Sequence, residues 1–289
     1  METSHTATVE ATTAPEPVAP ARGARPSREE LLACFGDADL SLQALFRFCF
    51  LPAGRLTHLR ELAHEEEWGE NHFALLRYLA VHVQLAIEQG CYEWNGDQLI
   101  TSAGRLTTGA ETPIFLGFIP NASPQQDNPW VLNWVGERPS CGMLPDPPAL
   151  GEWPLLDPGA EVLIGFDLAD DERRGTLGPL ERVAPSLRTM TVIGAVHWAL
   201  QRGLVVRQAH AGGRGYFVPL FLESRDDLTE SPDLVAPLST RGRRAVVRAL
   251  LEPQAAYAAA RAVVDRAEVL PEWLAAAWDE AVEARNERD

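Results

Sequence analysis

A chain of 289 residues with 46% hydrophobic content can bury one large core or two smaller ones. Its 41 acidic side chains outnumber its 25 basic ones, for a net charge of −16, so its surface as a whole repels polyphosphates and anionic lipid heads. Every basic residue is Arg and none is Lys, which excludes a Schiff-base amine and the phosphate-loop lysine.

Residues 1–26 are rich in Thr, Ala and Pro, with no aromatic residue and no Leu. So little apolar surface cannot offset the entropy of ordering, and the segment reads as a disordered tail. Ser27 then opens a helix in SREELLACF, with Glu30 three residues on as in a capping box. LSLQALFRFCFL and GRLTHLRELAHEEEW carry leucines at three-and-four spacing. NHFALLRYLAVHVQLAIEQG follows as a helix with Asn71 as its N-cap and Gly90 as its stop, striped by Phe73, Leu76, Ala80, Val83 and Ile87. Directly after it, CYEWNGDQLIT sets Asn95-Gly96 between two alternating runs, a strong hairpin signal. A strand in TTGAETPIFLGFI closes the segment. Residues 27–119 thus read as a winged-helix-like subdomain of three helices and a hairpin. Duplex DNA is not expected there: from Ser41 to Thr101 four arginines face eight acids, where a helix entering the major groove needs cations.

From Pro120 to Pro158 the chain holds nine prolines and three of its eight tryptophans, Trp130, Trp134 and Trp153, with VLNWV as its one strand signal. Long irregular segments are lids, binding loops or inserts, so a boundary falls here. Residues 159–289 read as an α+β subdomain. EVLIGFD is a strand, and SLRTMTVIGAVHWALQRG is a helix striped by Leu187, Met190, Ile193, Val196 and Leu200. GLVVRQAHAGGRGYFVPLF is a hairpin, DLVAPLS and RRAVVRALL are strands, and QAAYAAARAVVDRAEVL is a helix. A final amphipathic helix runs through Leu274, Trp278 and Val282. Strands bunched by hairpins give an α+β fold with a mostly antiparallel sheet. No internal repeat is visible.

The three glycines of GGRG, Gly212 to Gly215, do not open a helix, as a dinucleotide cradle requires, but lead into a second strand. They supply turn conformations. Arg207 and Arg214 flank that turn, and Arg207 and His210 face opposite sides of the strand. HEEEW at His64 has Trp68 where a zinc helix needs its second His, and His72 and His82 do not converge on one helix. Asp167, Asp170, Asp171 and Glu172 follow a strand and would suit Mg²⁺ through two carboxylates. Cys34, Cys49, Cys91 and Cys141 form no C-x-x-C pair and read as reduced thiols. With no secretory leader and no apolar run of membrane-spanning length, a cytoplasmic protein with no membrane partner is expected.

From about Leu42 to Leu274 the chain resembles a bacterial domain family of unknown function. Its members are sometimes joined to RNA-associated modules such as LOTUS-type winged helices and cold-shock folds. The likeness rests on ALFRFCFLPAG, LRELAHEEEWG, LLRYLAVHVQLAIEQG, LITSAGRLTTGAETPIFLGFIPN, YFVPLFL, AAYAAARAV and EWL. QRGLVVRQAH departs from the family's polar run and keeps Val206 and Gln208 of it, and Asp167-Leu168 stands where an acid-His step is expected.

Two functions fit these residues. The first is a non-enzymatic binding or adaptor protein of bacterial RNA-related or stress physiology, without a cofactor. Its contact residues would be Trp130, Trp134 and Trp153 on one exposed face, Trp278 on the final helix, and Arg207 and Arg214. It would take a protein partner, and RNA only through a local arginine cluster. The second is a phosphoester hydrolase with Asp167 and Asp171 on Mg²⁺, His210 as general base and Arg207 or Arg214 steadying the anionic transition state. That reading requires Asp167, Asp171 and His210 within about 8 Å of one another.

Overall fold

The computed structural model describes residues 25–36, 40–63, 68, 72–123, 128–169, 172, 175–210, 213–223, 227–264 and 269–286. The expected tail falls outside this set up to residue 24, as do Asn71 and Asp171. The described residues form seven α-helices and two five-stranded sheets, an α+β architecture. None of the described helices is long and apolar enough to cross a membrane.

Helix α1 (Arg28–Ala33) starts on the expected capping box: the Ser27 hydroxyl accepts from the Glu30 N–H, and the Glu30 carboxylate accepts from the Ser27 N–H at 2.7 Å. Helix α2 (Leu42–Phe48) is capped by the Ser41 hydroxyl and runs into a two-residue strand β1 (Cys49–Phe50). Helices α3 (Ala53–Leu62) and α4 (Phe73–Gln89) follow. At the start of α4 the cap position is His72 in the left-handed region, φ 58°. The stripe expected on α4 is buried at Ala80, Val83 and Ile87 and partly at Leu76, but Phe73 is exposed, and burial extends past the stripe to every residue from Tyr78 to Ile87. A helix apolar all round needs cover on two flanks, and α4 has a sheet on one and the C-terminal helices on the other.

Strands β2 (Tyr92–Asn95), β3 (Gln98–Thr107), β4 (Pro113–Pro120) and β5 (Trp130–Gly136) form an antiparallel meander whose last strand pairs in parallel with β1, giving the order β1-β5-β4-β3-β2. The Asn95-Gly96 turn forms as expected, with Asn95 opposite Gln98 and Gly96 at φ 58°. Its outer strand β2 is the edge of this sheet.

The second half repeats the plan. A lone strand β6 (Glu161–Ile164) leads through a 3₁₀ turn (Gly178–Arg182) and helix α5 (Pro185–Gln201) to β7 (Val206–His210), β8 (Gly213–Leu220), β9 (Leu234–Arg241) and β10 (Arg244–Val247). The order is β6-β10-β9-β8-β7, with β6 parallel to β10 and every other pair antiparallel. Both α4 and α5 have 17 residues and lie on the second strand of their meander, β3 and β8. Aligning them on their closing glycines, Gly90 and Gly203, sets the sheet-facing Leu79, Val83 and Ile87 against the equally sheet-facing Val192, Val196 and Leu200. The chain is thus a tandem repeat of one topology, which the sequence did not reveal.

Helices α6 (Pro253–Arg261) and α7 (Glu272–Asn286) tie the halves together. Ala256, Ala260, Trp273 and Leu274 pack on Val206, Phe217 and Val235, the face of the second sheet turned away from α5. Ala258 and Trp278 sit in the core of the first half, where the Tyr257 ring stacks on Trp278 with centroids 4.5 Å apart. Strands β1–β5 precede residue 159 and the strands of the second sheet follow it, while the last two helices pack against both halves.

The Pro-rich segment contains β5 and then runs without helix or strand from residue 138 to residue 158 as a strap across both halves. The Gln89 amide holds the backbone of Ala149 from both sides, donating to its carbonyl at 2.6 Å and accepting its N–H at 2.8 Å. Further on, the strap is fixed to the second sheet through Trp153 and Pro154.

Candidate anion site

The β7–β8 hairpin sets two arginines on one face. Its register pairs Arg207 with Tyr216 and Ala209 with Arg214, so these four side chains share one side of the sheet. The strap lays Trp153 over them. The guanidinium carbons of Arg207 and Arg214 lie 5.5 and 5.6 Å from the center of the Trp153 ring, and each such cation–π contact contributes about 0.5–1 kcal/mol. Three hydrogen bonds define the nest. The Trp153 indole N–H donates to the Gln208 carbonyl at 3.3 Å, the Gln208 amide donates to the Tyr216 carbonyl at 3.0 Å, and the Tyr216 hydroxyl donates to the Pro154 carbonyl at 2.7 Å.

Gly151 is required by this approach: its φ is +71°, and a Cβ there would stand 3.1 Å from the Arg214 guanidinium. Burial pushes the Tyr216 phenol up, while the positive charge of Arg207 acts the other way. Arg207 is exposed, and Arg214 and Trp153 are half-buried, so the cluster is open to solvent. Planar guanidinium forks suit phosphate or carboxylate oxygens, and an indole face suits a base. Three of the residues expected to bind, Arg207, Arg214 and Trp153, are thus brought together. Tyr216 and Gly151 were missed, although Tyr216 is legible from the hairpin register once the turn is located.

The other expected contact residues lie elsewhere. Trp130 is 1% exposed in the first core, its ring between Phe48 and Trp94 with centroids 6.2 and 6.0 Å away. Burial pushes the nearby Cys34 thiol up, partly opposed by the Trp130 indole N–H. Trp134 is half-buried on the first sheet, and Trp278 is 3% exposed between the two halves. The expected exposed face of three tryptophans is therefore not formed, and the final helix turns Trp278 inward while exposing Glu272, Asp279, Glu280 and Glu283. The reason is that large aromatic rings at the start of β5 and inside α7 are the bulk that fills the space between sheet and helices.

The hydrolase constellation is not assembled either. Asp167 follows β6 and accepts the Ala169 N–H at 2.9 Å, a local turn. His210 closes β7, at the other edge of the sheet. Four strand spacings separate the edges, roughly 19 Å, and because β6 and β7 run in opposite directions the two residues stand at opposite ends as well. Asp171 lies outside the described residues, among which no group of three or more His, Cys, Asp and Glu gathers to hold a metal ion.

No protein-family model matches this chain, and neither a curated protein nor a solved structure matches it.

Proposed function

We propose that this protein is a non-enzymatic, cytoplasmic binding protein of bacterial RNA-linked or stress physiology, and that Arg207, Trp153 and Arg214 take a short single-stranded RNA segment. The observation behind this reading is the convergence of two guanidiniums on one indole in a chain of net charge −16. The guanidiniums would hold two phosphates and the ring one base, without readout of sequence. Carboxylates elsewhere repel a longer polyanion, so the contact stays local and weak.

The reading is tested by fluorescence anisotropy of a labelled single-stranded hexanucleotide across a salt series. Two neutralized phosphates predict a slope of about −1.4 in log affinity against log salt. Arg207→Ala and Arg214→Ala should each abolish measurable binding while leaving the thermal midpoint nearly unchanged. No binding at low salt, or binding indifferent to both substitutions, would refute it. The hydrolase alternative loses its main support because Asp167 and His210 stand at opposite edges of one sheet.

A further inference from the structure

Helix α5 presents an apolar outer ridge. Leu187 is 52% exposed, Met190 71% and Trp198 36%. At about 100° per residue all three fall within about 40° of the direction of Gly194, and nothing stands within 4 Å of where a Cβ on Gly194 would lie. We propose that this ridge is the seam of a homodimer, in which two copies of the chain pack their α5 helices antiparallel across a two-fold axis beside Gly194.

The repeat itself supplies the first argument. In the alignment on the closing glycines, Gly194 and Trp198 correspond to Val81 and Leu85 of α4. Those two residues are buried with Ala262 and Val263, at the end of the helix that covers α4. The same face that α4 buries inside its own chain is left open on α5.

Charge selects a second copy as the occupant. A molecule of net charge −16 repels itself over most of its surface. Yet α5 has no carboxylate among its 17 residues. Of the cations there, Arg188 is buried, donates to the carbonyls of Leu180 and Val183 and pairs with Glu172 at 3.0 Å. Arg202, which caps the helix, sets its guanidinium carbon 4.0 Å from the center of the Trp198 ring. His197, half-buried, is the remaining titratable group of the helix.

The pattern is also self-complementary, as a two-fold interface demands. Met190 and Trp198 stand four residues to either side of Gly194. Antiparallel packing about that glycine sets each Met190 against Trp198 of the partner subunit, a sulfur–aromatic contact, and the missing side chain at the crossing lets the backbones approach. Phe221, edge-on to Trp198 with centroids 6.3 Å apart, extends the apolar surface.

This inference is independent of RNA binding. It is tested by sedimentation of the full chain over a range of concentration, with mild oxidation of single-cysteine additions as a second readout. The expected result is a dimer whose dissociation constant rises about tenfold or more in Met190→Asp, an exposed position whose folding is checked by circular dichroism. Gly194→Cys should form a disulfide-linked dimer that the parent chain does not form, while Leu187→Cys, distant from the axis, should not. A monomer at every concentration, a dimer indifferent to Met190→Asp, or equal cross-linking at both positions would overturn it.

Discussion

The imidazole Nε2 of His82 lies 3.0 Å from the carbonyl oxygen of Ala262, a hydrogen bond between residues 180 positions apart. It joins the central helix of the first half to the last turn of α6. The Tyr78 ring stacks on His82 with centroids 4.0 Å apart, and the Tyr78 hydroxyl accepts the Arg105 N–H at 2.7 Å. His82→Phe keeps the stacked ring but leaves the Ala262 carbonyl buried without this donor, which should cost about 1–3 kcal/mol. Urea unfolding measures it, and a loss under about 0.5 kcal/mol would show that the bond does not couple the halves.

Gly104 belongs to the same cluster. Its φ is +60°, in the irregular stretch of β3 between Ser102 and Thr107, and a Cβ there would stand 2.5 Å from the His82 ring and 2.6 Å from the Tyr78 hydroxyl. Gly104→Ala combines backbone strain with overpacking and should cost on the order of 3 kcal/mol. Gly90→Ala, at φ +72° with nothing within 4 Å, carries strain alone and serves as the comparison. Equal losses in the two variants would mean that the space above Gly104 is not needed.

The tryptophans separate core from site. Trp130→Ala removes a ring that is 1% exposed and should cost about 3–5 kcal/mol. Trp153→Ala removes a half-buried ring and two cation–π contacts, for about 1–2 kcal/mol. Denaturant midpoints distinguish them, and the reverse ranking would place the strap in the core.

Magnesium ion at a concentration about 100 times the dissociation constant of a real site would add about 2.7 kcal/mol to stability. With Asp167 tied to its own turn and His210 at the far edge, millimolar Mg²⁺ should leave the melting temperature unchanged. A rise that Asp167→Asn abolishes would restore the metal reading.

Burial pushes both the Cys34 and the Cys49 thiols up, so little thiolate exists to react near neutral pH. A raised folded-state value means that reactivity is withheld as pH rises through the ordinary thiol range and appears on unfolding. A disulfide reagent at pH 8 should leave Cys34 and Cys49 unmodified in the native protein and modify them in denaturant, read by peptide mass. Native labelling of Cys49 would contradict the packing around it.

Most elements were legible because their signals are local: the Ser27–Glu30 box, the Asn95-Gly96 turn and the glycine-bounded hairpin of β7 and β8. What failed was nonlocal. The repeat is carried by strand pairing, which no stretch of sequence encodes by itself. On α5 two stripes fit the helical period, and the expected one included Leu187 and Met190. The buried one includes Arg188, a residue type that masks an inward face, and it is satisfied there by carbonyls of the preceding 3₁₀ turn and by Glu172. Arg207 and Arg214 were identifiable beside their turn, but their meeting with Trp153 depends on the path of the strap over more than fifty intervening residues.

The return of Trp278 to the first core has a consequence for biosynthesis. As the chain leaves the ribosome, the leading half cannot complete its packing until the second half has been made, since Trp278 follows every strand of the second sheet. Until residues 253–263 have emerged, α4 keeps an apolar flank uncovered, and during that interval the flank is exposed to other molecules.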